Sequence, residues 1–380
     1  MSFLIPNNLL EQLNLMSLLV GFSVTFLGTW VLCKMSQVTL LGHDAQHGVQ
    51  KFHVKPTSRL GGVAIALGLS LSCFIYLGKN QNIIQTEFEH YTFQLLVAAT
   101  PVWIAGLTED VTRKVGPSLR LIMATVSAAW LYSTLGVAIY RTDVLLIDWL
   151  LAFPSVSLCI TLLVVAGFTH SVNIIDGFHG LACGLMIIAL AALSFMALEA
   201  GDVLILQMCL TSLFVVLGFF VFNWPRGSIF LGDAGAYLIG FWVVELGILL
   251  VMRNPDISPM APVIAGLLPL IETIFSMYRR KFVKDHPVNH PDALHLHTLI
   301  YRRLLLNSSI ANNEEQKNSR NSRVALYFWI PASLFSFVSC VFMHSTWTQL
   351  ALMLGYLAMY IWLYRRLVRF KSPFAMKFRT

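Results

Sequence analysis

Acidic, basic and imidazole side chains recur in five separated segments of an otherwise apolar chain of 380 residues. The first, His43 to Gly62, sets Lys51, His53, Lys55 and Arg59 ahead of a glycine pair. That composition suits phosphate, whose oxygens accept from ammonium, guanidinium and the N–H groups at a helix start. The flank of a membrane span has the same basic composition. The second, Gly106 to Leu121, sets Glu109 and Asp110 side by side. Adjacent carboxylates repel unless a proton or cation bridges them, and Mg²⁺ is the natural bridge for hard oxygen ligands working with substrate phosphates. With Arg113 and Lys114 close behind, the pair reads equally as a solvated helix end.

In the third segment, His170 to Gly184, Asn173, Asp176 and His179 recur at three-residue spacing, which groups them if the segment is helical. Polar residues of three kinds at the mouth of an apolar run point to function rather than packing. The fourth, Phe222 to Phe241, contains Asn223 and Phe230 and places Asp233 between Gly232 and Gly235, where backbone and ligand approach closely and a carboxylate can hold a cation. Phe230 is placed to stack on a base, or to be an ordinary packed aromatic. The fifth, His286 to Arg303, collects His286, His290, His295 and His297 with Arg302 and Arg303. Its spacings match no standard zinc signature and no cysteine is near, so phosphate binding and proton handling fit better. Two further acids fall within apolar runs: Glu272, read as functional, and Glu245, read as a paired buried acid.

The elements that must position these groups are membrane helices. Hydrophobic residues make up 57% of the chain and charged residues 12%. A span needs about 20 apolar residues. Eleven such stretches are present: Gln12 to Lys34, Leu60 to Gly78, Tyr91 to Thr108, Ser118 to Ile139, Ser155 to His170, Leu181 to Ala200, Val203 to Trp224, Ala234 to Met252, Ser258 to Tyr278, Ala325 to His344 and Trp347 to Val368. The expectation is an all-α polytopic membrane protein with about 11 transmembrane helices, because alternating barrel strands are absent. With the N-terminus outside and the C-terminus inside, all of the 26 Lys and Arg residues except Lys79, Arg141 and Arg253 face the cytoplasm. Residues 1–380 then form one integral-membrane domain with a long cytoplasmic loop at about 279–324, in which Asn312 to Arg323 reads as a flexible stretch. The first span is expected to be retained rather than cleaved as a signal peptide. The net charge of +7 is met by anionic lipid headgroups, so no nucleic acid is implied. All six cysteines lie in predicted spans, which suggests neither a disulfide framework nor a thiolate metal site.

Taken in this order and topology, the five segments resemble the polyprenyl-phosphate N-acetylhexosamine-1-phosphate transferases, a superfamily that includes the phospho-N-acetylmuramoyl-pentapeptide translocase. The resemblance runs from roughly Asp44 to Arg303 and rests on KPTSRLGG, Glu109–Asp110, NIIDG, FLGDAG and HPDALHLH. It implies a bacterial cytoplasmic-membrane enzyme that moves a sugar 1-phosphate from a UDP-N-acetylhexosamine to undecaprenyl phosphate. Glu109, Asp110 and Asp233 would be catalytic, with Mg²⁺ (or Mn²⁺) on Asp233 and Asp110. Lys51, Lys55, Arg59, Asn173, Asp176, His179, Asn223, Phe230, His295, His297 and Arg302 would contact the substrates. The implied partners are the two substrates, the bilayer and a second copy in a homodimer. Three positions depart from the family pattern: Glu109 replaces an aspartate, His179 stands where an aspartate is frequent, and Thr298 where a further histidine is common. A translocase-like enzyme acting on a muramoyl-pentapeptide is the near alternative. A secondary transporter, which also uses many spans and buried acids, is the distant one.

Overall fold

The computed structural model describes residues 12–36, 57–76, 83–284, 294–306 and 314–369. Among them the regular structure is helical, with a lone bridge at Ser58. The helices are α1 (Leu15–Met35), α2 (Gly61–Tyr76), α3 (Ile83–Thr112), α4 (Pro117–Leu135), α5 (Leu145–Leu151), α6 (Pro154–Ile175), α7 (Leu181–Glu199), α8 (Val203–Asn223), α9 (Gly232–Arg253), α10 (Met260–Ala265), α11 (Leu267–Arg279), α12 (Leu296–Ile300), α13 (Glu314–Val341) and α14 (Thr346–Val368). Short π-helical turns, Arg280–Lys284 and Tyr301–Leu305, extend α11 and α12. Among the described residues, seven helices are long and apolar enough to cross a membrane. Large apolar side chains such as Leu163, Ile274, Phe337 and Leu354 face outward, as a lipid-solvated surface requires.

Each of the eleven apolar stretches coincides with a helix, except that Ser258 to Tyr278 is broken into α10 and α11 at Gly266. The ring of Phe168 packs against Gly266 where a Cβ would otherwise sit. A second difference concerns Asn312 to Arg323. From Glu314 onward this run is the first part of α13, and Asn321 and Ser322 are buried, so it is not a flexible loop. Those two polar residues find partners on other elements, which holds the turn down. The third segment also departs from its expected form: α6 ends at Ile175, with Asp176 at its C-cap, and residues 176–180 make a turn into α7.

The most buried helix is α9, apolar on all sides and therefore able to serve as the axis of the bundle. Helices α2, α3, α6 and α7 pack around it. Its first turn is approached so closely that a Cβ on Gly62 of α2 would lie 2.2 Å from the Gly235 nitrogen, and one on Gly106 of α3 would lie 2.7 Å from the Ala234 Cα. Small residues permit this backbone-to-backbone packing, which is how helices gain contact where lipid offers no hydrophobic driving force. Glu245, further along α9, is buried, and neither of its oxygens has a hydrogen-bond partner among the described residues. It is not the paired acid that the sequence suggested.

Candidate active site

Backbone hydrogen bonds explain why two distant motifs meet. Phe230 N–H donates to Ser58 O at 2.8 Å, Gly61 N–H to Phe230 O at 3.2 Å and Gly62 N–H to Leu231 O at 3.0 Å. This stitching sets Arg59 beside the first turn of α9, where its Nη2 donates to Asp233 Oδ1 at 2.6 Å and its Nε stands 3.3 Å from Asp110 Oδ1. Arg120, at the start of α4, pairs with the other oxygen of Asp233. Asn173 Nδ2 donates to Asp233 Oδ1 at 3.0 Å. Asp233 is thus held between two guanidinium groups and an amide.

The neighbouring acids behave differently. Asp110 is 1% exposed, and its two oxygens accept the Asp233 and Ala234 N–H groups at 2.9 and 2.8 Å. It caps the N-terminus of α9 from outside the helix. Glu109 turns away and accepts the Val115 N–H at 2.8 Å, closing the connection from α3 to α4. The Asp176 backbone N–H donates to Asn173 O at 3.3 Å, while its carboxylate makes no hydrogen bond among the described residues and lines the cavity next to Asn173. Burial pushes its pKa up to about 7, with the Arg59 charge opposing the rise and the Asp110 charge adding to it.

These groups meet at a cavity of about 1360 Å³. One wing is polar and is lined by Arg59, Arg120, Asn173, Asp176, Asp233 and His297. The other lies between α4, α6 and α11 and is lined by Leu121, Leu162, Leu163, Leu270, Ile274 and Met277. Leu163 and Ile274 are 73% and 63% exposed, so this apolar wing opens on the surface that faces lipid.

Of the residues singled out from the sequence, the cavity wall contains Arg59, Asn173, Asp176, His179, Asn223, Phe230, Asp233, His295 and His297. Phe230 and His179 form one face, ring centroids 5.7 Å apart. The amide of Asn223 is committed to the backbone, receiving the Gly180 N–H and donating to Ile229 O, both at 2.8 Å. Its role in this structure is to clamp the 176–180 turn against the 224–230 connection. Asp110 lies directly behind Asp233, whereas Glu109 and Arg302 do not line the cavity. Lys51, Lys55, His286 and His290 lie outside the described residues.

Four residues were missed. Arg120 looked like one more basic residue flanking a span. Asn321 sat within a run that composition marks as solvated, yet its Oδ1 accepts the His179 N–H at 2.8 Å. Tyr237 and His170 join one turn deeper, with the Tyr237 hydroxyl 2.6 Å from His170 Nδ1 and the Arg120 guanidinium over the Tyr237 ring. Only the spacing of Asp233 and Tyr237 by four residues along α9 signalled the last of these.

The donors at the polar wing suit a hard divalent cation. They are carboxylate oxygens, with Asp110 of α3 meeting Asp233 at the first turn of α9, and Asp176 has oxygens not committed to hydrogen bonds among the described residues. Residues 92–251, which carry Asp110, Asn173, Asp176 and Asp233, match the sequence model of glycosyl transferase family 4. Over that stretch, which is less than half of the chain, the protein is similar to this family.

Named relatives are similar along most of the chain. The "probable undecaprenyl-phosphate N-acetylglucosaminyl 1-phosphate transferase" of Bacillus subtilis is 29% identical over 264 residues, covering 68% of this chain and 69% of its own. The decaprenyl-phosphate N-acetylglucosaminephosphotransferase of Mycolicibacterium smegmatis is 25% identical over 362 residues, or 88% of this chain and 83% of the relative. The undecaprenyl-phosphate alpha-N-acetylglucosaminyl 1-phosphate transferase of Escherichia coli K12 is 27% identical over 255 residues, or 64% and 65%.

Proposed function

We propose that this protein transfers N-acetylhexosamine 1-phosphate, with N-acetylglucosamine as the favoured sugar, from its UDP derivative to undecaprenyl phosphate, and so starts a lipid-linked cell-surface polysaccharide. The observation that carries this reading is the joined cavity, whose apolar wing opens to lipid and whose polar wing ends in arginines and carboxylates. A lipid phosphate and a water-soluble nucleotide need such a meeting place. The names of the relatives support the choice of sugar and of lipid.

In this reading the prenyl chain lies along α4, α6 and α11. A phosphate oxygen of the lipid attacks the sugar-side phosphorus of the UDP-sugar. A P–O bond forms there, the bond to the uridylate phosphate breaks, and UMP leaves with the electron pair. Arg59 and Arg120 bind phosphoryl oxygens and stabilise charge that gathers on them in the transition state. The lipid phosphate has a second pKa of about 6, so near neutral pH it is largely ionised and positioning outweighs base catalysis. Asp110 holds the α9 N-terminus and keeps Asp233 aimed at the cavity. Phe230 and His179 offer a wall for the base, while Asn173 and Asp176 offer polar contacts to the nucleotide. Asp233 would hold Mg²⁺, with Asp110 behind it, and the ion supplies charge neutralisation of the diphosphate when bound.

The topology that goes with this function has eleven spans, the N-terminus outside and the site at the cytoplasmic face of the bacterial inner membrane. Its support is that Arg141 and Arg253 gather at the end of the bundle away from Asp233. Arg141 donates to Ile257 O at 2.6 Å, and Arg253 closes the far end of α9 by pairing with Asp202. A transporter is disfavoured by the same arrangement, because its binding groups belong near the bilayer midplane. Incubation of the purified protein with radiolabelled UDP-N-acetylglucosamine, Mg²⁺ and undecaprenyl phosphate tests the proposal. Label should pass into an organic-extractable product, and its retention in the aqueous phase at every UDP-sugar tried would rule the transfer out.

A further inference from the structure

Two histidines on the cavity wall lean on one buried acid outside it. Glu272, on α11, is fully buried, and its Oε1 lies 3.0 Å from His297 Nδ1 and 3.5 Å from His295 Nδ1. Its other oxygen accepts the Tyr360 hydroxyl of α14 at 2.5 Å. The two imidazoles are parallel, 7° apart with centroids separated by 5.1 Å, and both line the cavity. One helical repeat along, Arg279 Nη1 donates to Leu294 O at 2.6 Å and to the Tyr364 hydroxyl at 2.5 Å. The histidine segment from Leu294 onward is therefore fastened to α11 and α14 at two points.

A metal cage is the competing reading of one carboxylate and two histidines. At 3.0 Å, His297 Nδ1 is within hydrogen-bond reach of Glu272 Oε1, so a proton on that nitrogen accounts for the contact without an ion. What the arrangement can do is fix protons. A carboxylate facing Nδ1 favours the tautomer protonated there, which leaves Nε2 as the free ring nitrogen. Gly177 packs at the Nε2 edge of His297, and both residues line the cavity.

We propose that Glu272, held by Tyr360, is a positioning residue that sets the orientation and protonated nitrogen of His297 and His295 for binding the sugar nucleotide. The inference rests on the reading of the cavity as the donor site. It gives α14, which lies beyond the stretch matched by the family, a part in substrate binding. It also explains a buried acid that packing alone would disfavour: a carboxylate is costly away from water unless paired, and among the described residues its polar partners belong to the histidine segment and to α14.

The test is a double-mutant cycle on KM for UDP-N-acetylglucosamine, with kcat measured in parallel. Glu272→Gln should raise KM about tenfold with kcat changed less than about threefold, and Tyr360→Phe should move KM the same way by less. In a His297→Ala background, Glu272→Gln should add almost nothing, because residues acting as a unit are not additive. Glu272→Asp should restore part of the loss. Should Glu272→Gln fail to fold, Tyr360→Phe paired with His297→Ala carries the same cycle. Fully additive losses, or a fall in thermal stability with KM unchanged, would overturn the role of Glu272. An unchanged KM in His297→Ala alone would instead overturn the donor-site reading beneath it.

Discussion

Asp110 caps the helix that carries Asp233: its Oδ1 accepts the Asp233 N–H at 2.9 Å, and its Oδ2 accepts the next N–H along the chain. One acid thereby orients the other. The aspartate nearer the cavity is presented on a helix start whose positive end is already satisfied by a buried carboxylate. Arg59 reaches both and holds the pair together.

Replacing Asp110 by Asn should therefore act through geometry. The amide retains one acceptor and turns an N–H₂ donor toward the Ala234 N–H, so one buried hydrogen bond is lost and Arg59 loses a charge partner. Such losses cost about 1–3 kcal/mol each. Asp110→Asn should lower Tm in detergent and reduce transfer at least about a hundredfold, whereas wild-type transfer by this variant would contradict the capping role.

Asp176 gives a pH dependence with a definite sign. Its folded pKa lies at about 7, above the ordinary 3.8, because burial penalises its charged form more than Arg59 favours it. The folded state binds this proton more tightly, so stability is highest below the ordinary value and falls as pH rises toward 7. Without substrates, Asp176→Asn should raise Tm at pH 8 and leave it nearly unchanged at pH 4, while weakening UDP-sugar binding. An equal Tm for the two proteins at pH 8 would show that Asp176 is not held in this environment.

Asn321→Ala removes the acceptor for the buried His179 N–H. An unsatisfied buried amide costs about 1–3 kcal/mol. The expected result is a higher KM for the nucleotide and a lower Tm, and unchanged values of both would place residues 314–323 away from the site.

Packing at the α9 start gives a steric prediction. A Cβ on Gly106 would fall 2.7 Å from the carbonyl carbon of Asp233. Gly106→Val should abolish transfer and yield little folded protein. Gly116→Ala meets nothing within 4 Å and should be tolerated, as size-exclusion profiles of the two variants would reveal.

Helix existence and most of the cavity wall were legible in the residues. Long apolar runs have one physical solution in lipid, and polar groups at their ends have few reasons to be there other than function. The break at Gly266 was not legible, since LLPLIE continues the apolar run and hydropathy carries no record of backbone direction. Asn321 was hidden because a run of Asn, Glu, Lys, Ser and Arg has the composition of a solvated loop. Its burial arises only when α13 folds against α7 and the 176–180 turn. Glu109 and Asp110 are adjacent and alike in sequence, and only the fold separates a turn-closing carboxylate from one that caps α9.

Release of UMP by the purified protein, followed with UDP-N-acetylglucosamine, undecaprenyl phosphate and Mg²⁺, tests the central claim most directly. Wild type should release one UMP per lipid-linked product, and Asp233→Asn, folded to the same extent, should release none above background. UMP release by Asp233→Asn at a near-normal rate would contradict the placement of phosphoryl transfer at the α9 N-terminus.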